Sequence, residues 1–197
     1  MKEELKYNVY ADLYRSKGST SRKIFIKSLI SLYENPGFKI VFMIRILQYL
    51  NKKKRNIIDK IIFKLLKYKY RRMQFKYGIE IPFNTKIGHG FLINHFGGIV
   101  FHGNAKIGNN CTVLQGVTIG NNIFKSRNDV AVIGDNVTIA SGAKIIGNII
   151  IGNNVTIGAN AVVVKDVPDN AIVGGNPAKI ICYKNPIVLN IDYLSKH

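Results

Sequence analysis

The feature that most constrains this chain is a period of six. Ile133, Ile139, Ile145, Ile151, Ile157 and Val163 lie six residues apart. Val137, Ala143, Ile149, Val155, Ala161 and Val167 form a second series, each four residues behind a member of the first. The same spacing runs upstream through Ile87, Ile93 and Ile99, then through Ile107, Val113 and Ile119. An α-helix repeats every 3.6 residues and an ordinary strand every 2, so neither yields this pattern. Three short strands joined by tight corners do, each hexapeptide forming one side of a triangular coil of about 18 residues. Inward aliphatic residues then stack on their equivalents one coil away. The small or β-branched second series fits the remaining inner surface, and Gly and Asn serve the corners. The pattern predicts a parallel β-helix over 79–181. It slips twice, between Ile99 and Ile107 and between Ile119 and Ile133. The second slip predicts a protruding loop over 121–132, and loops that leave a rigid scaffold often carry function.

Residues 1–78 follow a helical rule instead. Thr20 or Ser21 can cap a helix from Arg22, with Phe25, Leu29 and Leu32 at helical spacing. Asn35-Pro36-Gly37 is a break, and a second helix is expected over Phe38–Leu50. A third is expected over Asn56–Lys76, with an apolar stripe of Ile57/Ile58, Ile61/Ile62, Leu65/Leu66 and Met73 opposite Lys60, Lys64, Lys67 and Arg71. The expected fold class is therefore mainly β, a parallel β-helix preceded by a small basic α-helical domain, with a tail at 182–197.

Charge follows the same division. The chain holds 29 Lys+Arg against 11 Asp+Glu, a net +18, and residues 1–79 hold 20 and 5 of these. Eleven basic residues fall in 52–76. They read as a solvated face on a helix packed under the β-helix, or as a contact with anionic membrane lipid or an acidic glycan. No reading motif accompanies them, which argues against nucleic acid. Cys111 and Cys182 lack metal or redox spacing and read as reduced thiols. MKEELKYNVY has no signal-peptide core, and Phe38–Leu50 is too short to span a bilayer. The expected location is cytoplasmic, with peripheral contact at the inner face of the membrane as the sharper reading of 52–76.

Five segments carry a resemblance: Ile87-Gly88-His89-Gly90, Ile93-Asn94-His95-Phe96-Gly97-Gly98, Leu114-Gln115-Gly116-Val117-Thr118-Ile119-Gly120, Gly142-Ala143-Lys144-Ile145-Ile146-Gly147-Asn148, and Val167-Pro168-Asp169-Asn170-Ala171 with Gly174-Gly175-Asn176-Pro177-Ala178-Lys179. In these, residues 78–181 resemble the hexapeptide-repeat acyltransferases, specifically the serine O-acetyltransferase branch and its surface-polysaccharide relatives. The resemblance implies a left-handed β-helix, a homotrimer, and acetyl-CoA as the acetyl donor, bound in grooves between subunits. His95 falls on the catalytic histidine, suited to take a proton from an acceptor hydroxyl as it attacks a thioester. Glu80 falls on the acidic partner of that histidine, where the family carries Asp. Asn94 replaces an acidic residue of the serine enzymes. Backbone amides near Ser141 and Ala159 are expected along the CoA arm, and Lys165 and Lys179 at its phosphates. A backbone N–H at the Gly120–Asn122 turn is the expected oxyanion donor, so Asn121 joins His89 and Asn94 as an acceptor-side candidate. The spacing of His89, His95 and His102 does not match hexapeptide-repeat zinc enzymes, and no metal is expected.

The acceptor is the point of departure. Serine enzymes of this branch grip the carboxylate with an Arg-His pair in the long loop, and the aligned residues here are Asp129 and Val130. Asp12-Leu13-Tyr14-Arg15 and Asn35-Pro36-Gly37-Phe38-Lys39 look like the short helical domains of enzymes that acetylate capsule or lipopolysaccharide sugars. The first expectation is therefore a carbohydrate acceptor, a sugar hydroxyl of a surface polysaccharide or its precursor. The alternative is serine O-acetyltransferase, and a third reading is a non-catalytic scaffold.

Overall fold

The computed structural model describes residues 2–18, 32, 34–53, 56–125 and 127–184. The helix expected from Arg22 lies outside the described residues but for Leu32. Three helices are described: α1 (Lys2–Lys17), α2 (Pro36–Lys52) and α3 (Ile57–Tyr77). The last two match expectation, whereas α1 was not anticipated.

The solenoid is built coil by coil. Its first coil is β1 (Ile79–Glu80), β2 (Lys86–Ile87) and β3 (Leu92–Ile93); its second is β4 (Ile99–Phe101), β5 (Lys106–Ile107) and β6 (Thr112–Val113). The third is β7 (Thr118–Gly120), β8 (Val132–Ile133) and β9 (Thr138–Ile139), and the fourth β10 (Lys144–Ile146), β11 (Ile150–Ile151) and β12 (Thr156–Ile157). Then come β13 (Val162–Val163), β14 (Ala171–Gly174) and β15 (Lys179–Tyr183). Equivalent strands pair in parallel to make three faces: face A is β1-β4-β7-β10-β13, face B is β2-β5-β8-β11, and face C is β3-β6-β9-β12-β14. β15 turns back antiparallel on β14 and closes the end, two residues past the expected boundary. This is the left-handed β-helix with its helical N-terminal region.

The period of six is the interior. Ile133, Ile139, Ile145, Ile151, Ile157 and Val163 are all buried, as is the entire second series from Val137 to Val167. Each buried aliphatic side chain contributes about 1.5–3 kcal/mol, so the stack is the main source of the solenoid's stability. Both slips have a structural cause. The first lies in the turn that carries His95: Ile93 pairs with Val113 but Phe101 with Ile119, so the chain between them is two residues longer than in the next coil, and Ile99 takes the inward place that Val117 takes there. At the other slip, Thr118 pairs with Lys144 rather than with a residue 18 positions on, and the surplus leaves the coil as the 121–132 loop.

The corners explain the Gly and Asn. Asn110, Asn136, Asn154 and Asn170 have φ between 56° and 61° and occupy the corner between faces B and C. Their amides hydrogen-bond in a ladder, each donating to the next at 3.0 Å. Asn tolerates the left-handed conformation and here adds a bond that Gly would not.

The helical region docks through charge. Asp12 and Arg45 are 1–2% exposed and form a two-pronged pair at 2.8 and 3.1 Å. Arg45 also donates to the carbonyls of Ile87 (2.7 Å) and Gly88 (2.6 Å), and Asp12 accepts from the Phe91 amide at 2.8 Å. Arg15 donates to the carbonyls of Gly90 and Asn110 and to the Thr112 hydroxyl. The Asn35-Pro36-Gly37 break is the start of α2: the Asn35 side chain accepts from the Phe38 amide at 2.9 Å, and Pro36 follows in the first turn. A Cβ on Gly37 would lie 2.3 Å from the Ile93 carbonyl oxygen, so only Gly lets α2 approach β3 this closely.

One expectation about α3 is corrected. Of the expected stripe, Leu66 and Met73 face the solenoid, joined by Phe63, Tyr70 and Tyr77, whereas Ile57, Ile58, Ile61, Ile62 and Leu65 are exposed. Both sets have helical spacing, and the aromatic set makes the contact because it reaches β1 and its following turn. Phe63 meets Phe83 edge-to-face at 5.8 Å, and the Tyr70 hydroxyl donates to the Ile81 carbonyl. Burial pushes the Tyr70 phenol above its usual pKa.

Candidate active site

His95 lies on the corner where the chain passes from face C to face A, just after β3. Every coil repeats this corner, so a column runs down one edge of the prism. Gly116 donates its amide to the Gly97 carbonyl (2.8 Å), Gly142 to Gln115 (2.9 Å) and Asn160 to Ser141 (2.9 Å). Ser141 and Ala159 therefore lie on the same edge as His95, two and three coils further along. Small residues keep the backbone of this edge open. A Cβ on Gly98 would be 3.4 Å from Gly116, and one on Gly116 would be 3.3 Å from Gly142. The positive φ of Gly98, Gly116 and Gly142 makes the same demand.

Glu80 approaches from the helical side. α3 ends at Gly78 in the left-handed conformation (φ 61°), with its amide bonded to the Gln74 carbonyl. A Cβ on Gly78 would be 3.3 Å from the Gly98 nitrogen, so the helix terminus rests on the turn that follows His95. Tyr77 and Phe96 make an edge-to-face contact at 6.0 Å across this junction. β1 then begins, and Glu80 pairs in register with Val100 on face A. The His95 turn and Glu80 are thus joined by backbone packing, while no hydrogen bond or ion pair links the two side chains among the described residues. Both side chains are exposed. Glu80 opens into a cleft of about 830 Å³ between α3 and face A, whose other walls include Lys64, Lys67, Arg71 and Phe75.

The remaining candidates lie elsewhere on the prism. Asn94 adjoins His95 and is exposed, its amide bonded to the Val113 carbonyl at 3.1 Å. Asn121 is on the corner between faces A and B, at the root of the 121–132 loop. His89 is on the corner between faces B and C, in edge-to-face contact with Tyr7 of α1 at 5.2 Å. Burial holds its imidazole below the ordinary pKa, opposed by the Asp12 carboxylate. Within one chain, then, the three acceptor-side candidates occupy three different corners. Lys165 is exposed on the corner between faces A and B, and Lys179 is exposed at the start of β15. In the loop, Phe124 is 93% exposed, Asp129 is exposed and Val130 is buried in the solenoid interior. Among the described residues no group of three His, Cys, Asp or Glu side chains could hold a metal ion. Burial pushes the Cys111 thiol up to about 12, which makes it chemically inert.

Sequence reasoning named Gln115 and Gly116, and Lys64, Lys67 and Arg71, without placing the first pair between His95 and Ser141 or the cations beside Glu80. The first had a signal: Leu92 pairs with Thr112 and Thr112 with Thr138, so the next corner along from His95 must contain Gln115.

Comparison with known proteins fits this architecture. The signature described as bacterial transferase hexapeptide (six repeats) matches residues 131–165. The serine acetyltransferase of Staphylococcus xylosus is 39% identical over 145 residues, 74% of this chain and 64% of that protein. That of Staphylococcus aureus strain Mu50 is 45% identical over 104 residues, 53% of this chain and 49% of its own length. The crystal structure of Neisseria gonorrhoeae serine acetyltransferase superposes with a TM-score of 0.75 at 31% identity, covering 98% of this chain and 69% of that one. The chain belongs to the hexapeptide-repeat transferase family. Serine acetyltransferases are its homologues within that family, and it spans about 64% of the length of the first of these curated relatives. The expected nearness to capsule enzymes finds no support in these comparisons.

Proposed function

We propose that this chain is an acetyl-CoA-dependent O-acetyltransferase with His95 as its general base. The observation that carries the reading is the edge itself. An exposed imidazole stands at one end of a column whose next corners, Gln115–Gly116, Ser141–Gly142 and Ala159, leave the backbone open to an extended ligand. An imidazole nitrogen takes the acceptor's hydroxyl proton as the oxygen attacks the thioester carbonyl. The tetrahedral intermediate collapses, the carbon–sulfur bond breaks, and the imidazolium returns the proton to the CoA thiolate. Glu80 orients the imidazole and stabilises its cation once both are enclosed. Lys179, exposed past the Ala159 corner, binds the CoA phosphates, and Lys165, on the corner between faces A and B, joins it only from a neighbouring copy.

L-Serine is the first acceptor we propose, because the homologues are serine acetyltransferases. A specific observation favours a second reading, a sugar hydroxyl. The loop positions expected to grip a carboxylate hold an acidic Asp129 and a Val130 buried in the solenoid interior, and Asn94 offers no negative charge to an amine. Enclosure requires neighbours. Three copies about a three-fold axis would set the His95 edge of one against the 121–132 loop of the next and bring Asn121 to the oxyanion.

Acetyl-CoA turnover measured with L-serine and with oligosaccharides decides between the acceptors. His95→Ala should lower kcat/KM at least about a hundredfold on the better one, and a fall of less than tenfold would remove His95 as the base. A solution mass of about 22.1 kDa rather than three times that would refute the trimer.

A further inference from the structure

The outward face of α3 is apolar where a solvent-facing helix should be polar. Ile57, Ile58, Ile61, Ile62 and Leu65 are 76%, 63%, 57%, 44% and 63% exposed. They form one contiguous arc over the first turns, and Tyr68 continues it. Such a cluster on a protein surface marks a contact. Its borders are cationic. Lys60, Lys64, Lys67 and Arg71, spaced four, three and four apart, run along one side, and Lys69, Arg72 and Lys76 follow in the C-terminal half. Asp59 is the only acidic residue of the helix, and it is half-buried. Lys52 and Lys53 extend the charge just before it. No helix among the described residues is long and apolar enough to cross a membrane.

An apolar arc beside a basic stripe fits the boundary between lipid headgroups and acyl chains. There the isoleucines enter the hydrocarbon edge and the lysines meet lipid phosphates. A second copy of this chain fits poorly: apposing two such helices would bring seven cations on each against seven on the other, in a chain of net charge +18. We infer that α3 is an interfacial helix that holds the protein on anionic lipid, with Ile57, Ile58, Ile61, Ile62 and Leu65 inserted and Lys60, Lys64, Lys67 and Arg71 at the headgroups. This inference does not depend on the acetyltransferase reading.

The test is sedimentation of the full chain with vesicles of equimolar phosphatidylglycerol and phosphatidylcholine, and with vesicles of phosphatidylcholine alone. Binding is expected to the anionic vesicles only, weakening as salt rises. I58S/I61S/L65S should weaken it at least about tenfold, because it removes apolar burial while leaving every charge in place. K60Q/K64Q should weaken it by about tenfold or more at low salt, since each cation near an anionic surface contributes about fivefold or more. The chain has no tryptophan, so I61W provides a sole reporter that keeps the face apolar whatever the serine variant does to folding. Its emission should shift to the blue and be quenched by brominated lipid. Failure to bind anionic vesicles, an unshifted I61W emission, or undiminished binding by the serine variant would each overturn the inference. So would a fall in solution mass of the lipid-free serine variant, which would make the face a contact between copies.

Discussion

Asp12→Asn tests how the helical region is fastened to the solenoid. The carboxylate accepts three hydrogen bonds, from Arg45 Nε (2.8 Å) and Nη2 (3.1 Å) and from the Phe91 amide (2.8 Å). Asn preserves shape but places an NH2 against a donor on one side and leaves the buried guanidinium without a counter-charge. Breaking a buried pair in this way costs about 3–5 kcal/mol, a large share of a domain stability of about 5–15 kcal/mol. At about 2–4 °C per kcal/mol for a chain of this size, the melting temperature should fall by roughly 6–20 °C. Removing both charges, as in Asp12→Leu with Arg45→Met, should not restore it. That change orphans the Ile87 and Gly88 carbonyls and the Phe91 amide, and each buried unsatisfied group costs about 1–3 kcal/mol. Thermal melts of the three proteins, with hydrogen exchange at the Phe91 amide, give the answer. A double variant as stable as the parent would show that the network positions nothing and that apolar packing alone holds α1 and α2 in place.

Two smaller perturbations probe the neighbouring contacts. Gly37→Ala places a methyl 2.3 Å from the Ile93 carbonyl oxygen, two residues before His95. It should cost about 1–3 kcal/mol and reduce turnover by displacing the His95 corner. Gly103→Ala meets nothing closer than 3.5 Å and should stay within about 0.5 kcal/mol of the parent, so equal losses in the two would refute the close-approach argument. For His89, burial lowers the folded imidazole pKa. The unfolded chain then takes up the proton first, so stability is lost as pH falls below about 6.5 and the loss ends at the folded pKa. His89→Gln should therefore show a smaller drop in melting temperature between neutral and mildly acidic pH. Parallel pH curves for the two proteins would remove His89 as the cause.

What could be read from the sequence was whatever repeats. A position such as Ile145 is constrained by Ile119 above it and Val163 below it, so its role is written in several places at once. α3 shows where this fails. Ile57, Ile61 and Leu65 have the spacing of an inward stripe, and so do Phe63, Leu66, Tyr70 and Met73, because periodicity defines a face without saying what it faces. α1 failed for the opposite reason. It buries Asp12 and Arg15 together with Ala11, Leu13 and Tyr14, five consecutive residues that form no apolar stripe at helical spacing. His95 and Glu80 were singled out through resemblance alone. Nothing in their spacing says that a helix C-terminus at Gly78 joins them.

The charge asymmetry and the column on the solenoid edge belong to one arrangement. Gly78 ends α3 against the His95 turn, so the basic helix and the proposed catalytic corner share a junction of two glycine backbones, Gly78 on Gly97–Gly98. The cleft at that junction has Glu80 on one wall and Lys64, Lys67 and Arg71 on the other. Those three cations belong both to the border of the exposed apolar arc and to the lining of the cleft. A surface that drew α3 to anionic lipid would therefore also set the orientation of the cleft mouth. The balance is +15 over residues 1–79 against +3 over the rest. The solenoid needs no net charge to hold its stack of isoleucines, while the helix beside the site carries charge that its packing does not use.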